Sequence, residues 1–107
     1  MITFAEFTKL DIRIGTIQEV SKVENADKLL KFIIDFGTEK RQIISGIATF
    51  FPNFATLVGK QVPVLVNLEP RMIRGQESQG MILVAEDHEK VILLKPTKKV
   101  SPGSVIR

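Results

Sequence analysis

Leu10, Ile12 and Ile14 alternate with Asp11 and Arg13, a period of two that predicts a half-buried β-strand. Gly15 interrupts the run, and Ile17 and Val20 resume it in a shifted phase, so the strand is expected to carry a bulge or sharp bend. Ahead of it, Thr3-Phe4-Ala5-Glu6 has the spacing of a capping box and predicts a short helix over roughly Phe4–Lys9. Glu24-Asn25-Ala26-Asp27 reads as a polar connector. In the apolar run Leu29–Phe36, Leu30, Phe32, Ile34 and Phe36 then share one face of a second strand. Gly37-Thr38-Glu39-Lys40 is a four-residue hairpin turn, and Arg41-Gln42-Ile43-Ile44-Ser45 makes a third strand that ends at Gly46.

Pro52–Val58 predicts one or two helical turns that stop at Gly59. Gln61–Leu68 follows as a fourth strand with Val62, Val64, Val66 and Leu68 on one face. Pro63 cannot donate to a ladder, which places this strand at an edge or a barrel opening. Glu69–Gln79 is polar, contains Pro70 and Gly75, and reads as a long loop. Met81–Ala85 and Val91–Leu94 form a further strand pair around the acidic turn Glu86–Lys90, and Ser104-Val105-Ile106 adds a short strand in a C-terminal extension. The pattern is all-β, with no alternation of strands and helices. Five strands with a short helix between strands three and four match a five-stranded OB-fold barrel, an architecture that binds nucleic acids or oligosaccharides on one face. A small β-sandwich satisfies the same strand count.

Length bounds this picture: 107 residues make one domain, expected over 1–107. The absence of cysteine excludes disulfides, a thiolate nucleophile and Cys-based metal sites. The single histidine, His88, lies in a hydrophilic turn, so neither a metal nor a cofactor is expected. The serines at 21, 45, 78, 101 and 104 lack His-and-acid partners, and no glycine-rich stretch matches a phosphate-binding loop. The expectation is a non-enzymatic, soluble, cytoplasmic protein without a membrane segment. The formal net charge of +3 is unevenly distributed. Residues 1–59 hold seven Lys/Arg and seven Asp/Glu, whereas Lys60 onward holds eight against five, so any basic patch draws on the second half.

What remains is a set of polar residues on predicted strands and one loop: Lys31, Arg41, Gln42, Ser45, Asn67, Arg71, Arg74, Glu77, Ser78 and Gln79. On an OB barrel, strands two and three with the later loops form the binding face, so these side chains are expected to converge. Arg and Lys suit phosphates, while Ser, Asn and Gln suit sugar hydroxyls and base edges.

The same residues carry a resemblance. Lys9-Leu10-Asp11-Ile12-Arg13-Ile14-Gly15, Asn25-Ala26-Asp27-Lys28-Leu29, Arg41-Gln42-Ile43-Ile44-Ser45-Gly46-Ile47 and the stretch from Asn67 to Met81 are similar to successive signatures of the tRNA-binding domain family. That family includes the C-terminal domain or separate β-subunit of methionyl-tRNA synthetases, stand-alone tRNA-binding proteins and a branch described as secretion chaperones. The resemblance implies an OB-fold homodimer, built with help from both terminal segments, that grips tRNA by shape. It also implies a methionyl-tRNA synthetase catalytic chain as a candidate partner. Carried over by position, the RNA-binding residues would be Lys31, Arg41, Gln42, Ser45, Asn67, Arg71, Arg74 and Ser78, with Met81 beside them. Asn25 and Asp27 look structural. Two departures stand out: Val23-Glu24 replaces the His-Pro pair of many relatives, and Met72 stands where many have lysine, which removes a cation from the implied RNA face. The retained Asn-Ala-Asp-Lys-Leu and Ser-Gln-Gly-Met runs favour the tRNA-binding branch, with a dimeric chaperone-like protein-binding module as the alternative.

Overall fold

A computed structural model describes residues 1–107. The Thr3 capping box forms as the spacing predicts: the Glu6 amide donates to Thr3 Oγ1 at 3.2 Å and the Thr3 amide to Glu6 Oε1 at 3.0 Å. Helix α1 is only Phe4–Phe7, shorter than expected. Ten strands follow: β1 (Ile12–Val23), β2 (Ala26–Asp35), β3 (Lys40–Ser45), β4 (Gln61–Leu65), β5 (Arg71–Ile73), β6 (Gln76–Ser78), β7 (Met81–Ile82), β8 (Val84–Asp87), β9 (Lys90–Leu93) and β10 (Val105–Ile106). The main sheet runs β3-β2-β1-β4-β7, with β10 also paired to β1; β5-β6 and β8-β9 are separate hairpins.

The inward face is one apolar cluster in which Phe32, Ile17, Leu30, Ile34, Ile43 and Val62 are almost completely shielded from water. Burying such side chains contributes about 1.5–3 kcal/mol each. The phase shift in β1 is real, but the register slips between Ile17 and Glu19 rather than at Gly15. Gly15 has a different task. A Cβ there would overlap Ile34 Cγ2 and lie 2.7 Å from the Phe36 ring, so the missing side chain is what lets two core residues pack on the backbone of β1.

Three expectations need correction. β4 is not an edge strand, since it pairs with β1 on one side and β7 on the other. Pro63 is tolerated because β7 pairs only with Val64 and Leu65; beyond it the Pro63 carbonyl accepts from the Leu83 amide at 3.0 Å, and no amide is required of the proline. The connection between β3 and β4 holds two 3-10 turns, Ala48–Phe50 and Phe54–Leu57, where one short helix was expected. Val58 is already extended, so too few residues remain for an α-helical segment. The polar stretch expected as a long loop contains the β5-β6 hairpin, and its turn places Arg74 at φ 51 and Gly75 at φ 79. Positive φ at both central positions matches the twist that two-residue hairpins favour.

Candidate nucleic-acid interface

Neighbouring residues on a strand face opposite ways, and this divides the predicted site. Lys31 lies opposite Ile44, and Gln42 opposite Ile33, on the side of the sheet turned away from the core. Arg41 pairs with Ile34, and Ser45 with Leu30, on the core side. Arg41 and Gln42 therefore cannot reach one surface directly. The Arg41 guanidinium Nη1 donates to the Val66 carbonyl and, at 3.2 Å, to the Gln79 carbonyl, while Nη2 meets Glu39 Oε1 at 2.8 Å. It thus ties the end of β4 to the approach of β7 from a position on β3. Ser45 sits half-buried at the far end of β3, and its hydroxyl bonds to no protein group.

The free edge of β3 is covered largely by side chains. The Ser78 hydroxyl accepts from the Ile44 amide at 3.0 Å and donates to the Gly80 carbonyl at 3.0 Å. Gln79 Oε1 accepts from the Gln42 amide at 3.0 Å, and the Gln79 amide donates to the Gln42 carbonyl at 2.9 Å. Gln42 Nε2 donates to the Glu77 carbonyl at 3.0 Å. These bonds satisfy edge groups that would otherwise be open to pairing with another chain. They also seat the β5-β6 hairpin across β3, where Ile73 packs on the small cluster of Val23, Ala26 and Ile44. Ser78 is buried, so its place in the site is to hold the hairpin.

What the hairpin presents is charge. Arg71 and Arg74 are exposed and form no ion pair, and half-buried Lys31 on the adjoining sheet face is equally unpaired. Met72 stands out at 67% exposure, and Met81, opposite Leu65, shares the outward side of the sheet. Lys31, Gln42, Arg71, Arg74 and Met81 are thus carried on the outward side of the sheet and the hairpin laid across it. Asn67 lies apart from them and works as a clamp: Oδ1 accepts from the Asp11 amide at 2.9 Å and Nδ2 donates to the Lys9 carbonyl at 2.7 Å, fastening the N-terminal segment. Nearby, the Arg13 guanidinium is pushed above its ordinary value by its hydrogen bond to Asp11, with Coulombic attraction from the same carboxylate next.

A family model described as "Putative tRNA binding domain" matches residues 12–105. The chain belongs to the tRNA-binding domain family. It is 51% identical over 107 residues to a methionine–tRNA ligase of Parabacteroides distasonis, a match covering 99% of this chain and 16% of that one. The tRNA-binding domain thus spans about a sixth of the length of the curated relatives it matches. Among solved structures, a MetRS related protein from Pyrococcus horikoshii superposes with TM-score 0.93 at 36% identity, covering 100% of this chain and 98% of that one. A CsaA chaperone protein from Picrophilus torridus superposes with TM-score 0.90 at 33% identity, with full coverage of both chains. Within this tRNA-binding domain, Gln79 belongs to the polar set expected to converge but not to the residues implied by the family resemblance, and its bonding to the edge of β3 was not foreseen. The signal was the glycine after it: Gly80 adopts φ 150 and a Cβ there would stand 2.9 Å from the Leu65 carbonyl, so the chain must enter β7 in close contact with β4.

Proposed function

We propose that this chain is a non-catalytic module that binds folded tRNA through its sugar-phosphate backbone, acting alone or as an appendage of a methionyl-tRNA synthetase. The observation that carries the reading is the β5-β6 hairpin, which holds Arg71 and Arg74 in water without acidic partners, beside Lys31, in a chain of the tRNA-binding domain family. Arginine forks and lysine charge suit phosphates, and contacts of this kind follow the shape of a folded RNA rather than its sequence. Within the proposed site, Lys31, Arg71, Arg74 and Met81 meet the RNA, while Arg41, Gln42, Asn67 and Ser78 position the elements that carry them, and Ser45, on the core side of β3, lies outside the contact surface. The strand order supports a single five-stranded OB barrel over residues 1–107. The Gln79–Gln42 backbone bond joins the approach of the last strand in the β3-β2-β1-β4-β7 series to the first. A cytoplasmic location follows from a tRNA partner. Titration of labelled tRNA in a mobility-shift assay tests the reading: a complex that weakens steeply with salt is expected, and no complex at low salt would remove it.

The proposed assembly is a homodimer. Phe4, Leu10, Val105 and Ile106 are exposed apolar side chains from both ends of the chain, and with Phe7 they line one groove of about 450 Å³. Phe4 is 79% exposed, a costly state for an aromatic ring unless another surface covers it. Sedimentation equilibrium is expected to give twice the 12.0 kDa chain mass. A monomer at micromolar concentration would contradict the dimer. The likeness to a CsaA chaperone supports a second reading, in which exposed Met72 and Met81 accept apolar peptide segments. Unfolded peptide that displaces tRNA from the hairpin face would favour it.

A further inference from the structure

Gln61 and Ser78 are the two buried polar side chains of the fold. Ser78 seats the hairpin; Gln61 seats the C-terminal segment. Its Nε2 donates to the Val100 carbonyl at 2.7 Å and to Thr16 Oγ1 at 3.1 Å, and its Oε1 accepts from the Val100 amide at 3.0 Å. One primary amide thus supplies both hydrogen bonds that a neighbouring strand residue would make to Val100. The segment leading to Val100 is held against the start of β4 although it has no ladder of its own.

That segment forms the wall of a shallow trough of about 290 Å³ that includes Lys95, Lys98 and Lys99. The trough adjoins a cleft of about 420 Å³ where Lys60 and Lys95 flank Phe51 and Leu93. No Asp or Glu lines either hollow, and none of the four lysines has an ion-pair partner. These lysines are four of the eight cations after residue 59, so the charge skew of the chain is concentrated here more than on the hairpin. The trough opens at the start of β4, whereas the arginine hairpin follows its other end. The two basic sites share no lining residue, and the hairpin is bonded to β3 rather than to β4, so they act on different phosphates.

We propose that the trough walled by Lys95, Lys98 and Lys99, with Lys60 at its rim, is a second anchoring surface for the phosphodiester backbone of bound tRNA. The proposal rests on the tRNA-binding reading and adds a contact region that it does not require. Lysines are mobile point charges rather than bidentate forks, so the surface holds backbone without reading bases.

The test compares tRNA affinity across a salt series for wild type, K98A/K99A, the charge-matched K9A/K90A, and R71A/R74A. Alanine at 98 and 99 leaves the Gln61–Val100 bonds in place, and circular dichroism checks that all variants are folded. K98A/K99A is expected to bind about five- to tenfold more weakly at about 0.1 M salt and to lower the slope of log affinity against log salt by about one and a half, as loss of two phosphate contacts requires. K9A/K90A should lose less than about twofold, through overall charge alone. Equal behaviour of the two lysine pairs would overturn the proposal. If R71A/R74A loses affinity while K98A/K99A does not, the trough is wrong and the hairpin interface stands. If wild type forms no complex with tRNA, the interface reading fails and the trough fails with it.

Discussion

Alanine at both Arg71 and Arg74 is expected to weaken tRNA binding about 10- to 100-fold while leaving the thermal midpoint within a few degrees of wild type. Both side chains are exposed and bond to nothing in the protein, so their removal breaks no internal contact. Arg74 occupies the left-handed region at φ 51, where alanine is strained to a similar degree as arginine, so the turn should keep its shape. Each phosphate contact removed should lower the salt slope by about 0.7–0.9. Fluorescence anisotropy with labelled tRNA at several salt concentrations reads affinity and slope together. Unchanged affinity would take the hairpin out of the interface, and a weakened but equally salt-dependent complex would mean that the arginines touch something other than phosphate.

Arg41→Ala is expected to lower stability by about 2–4 kcal/mol, the largest effect of any polar substitution in the molecule. The guanidinium joins β3 to the carbonyls of Val66 and Gln79 and is largely shielded from water, so alanine leaves two carbonyls without their donor. In a domain of this size the loss corresponds to a fall in thermal midpoint of about 10–20 °C. Arg41→Lys should recover little, because a single ammonium cannot span two carbonyls and Glu39 in the same fork. Urea denaturation gives the stability difference, and tRNA affinity measured where the variant is fully folded separates the two roles. A variant of wild-type stability that no longer binds tRNA would show that Arg41 contacts RNA directly. For the same reason Arg71 with Arg74, rather than Arg41 with Arg74, is the informative pair for the interface.

Local chemistry was the legible part of this fold. The Thr3 to Glu6 spacing forms its capping box, the alternation in Leu30–Phe36 buries the residues it predicts, and the apolar pair Val105-Ile106 forms a short strand on β1. The β5-β6 hairpin was hidden for a physical reason. Its strands have three residues each, too short for a period of two to emerge, and what holds them to the molecule is side-chain bonding from residues 34 to 37 positions away in sequence. The turn at His88 and Glu89 is the opposite case: both have positive φ without any glycine to signal it.

The candidate site was legible in composition but not in division of labour. Arg41 and Gln42 are neighbours in sequence and therefore face opposite sides of β3, a consequence of strand geometry that follows once β3 is assigned. That Ser78 and Asn67 would spend their polar atoms on the backbones of Ile44, Lys9 and Asp11 follows only from the three-dimensional packing. Polar residues in a predicted binding region can thus build the surface as well as form it. Here Arg71 and Arg74 make no bond of their own, and the hairpin that carries them is held to β3 through Gln42, Ser78 and Gln79.

Recognition of the folded form of tRNA is tested by competition between folded and unfolded RNA. Labelled tRNA bound to the protein is challenged with unlabelled tRNA and with a linear RNA of the same length and base composition, at fixed moderate salt. Shape recognition predicts that folded tRNA competes at least about tenfold more effectively than the linear strand. Equal competition by the two would reduce the interface to unspecific attraction between lysine, arginine and phosphate, and would rule out recognition by shape.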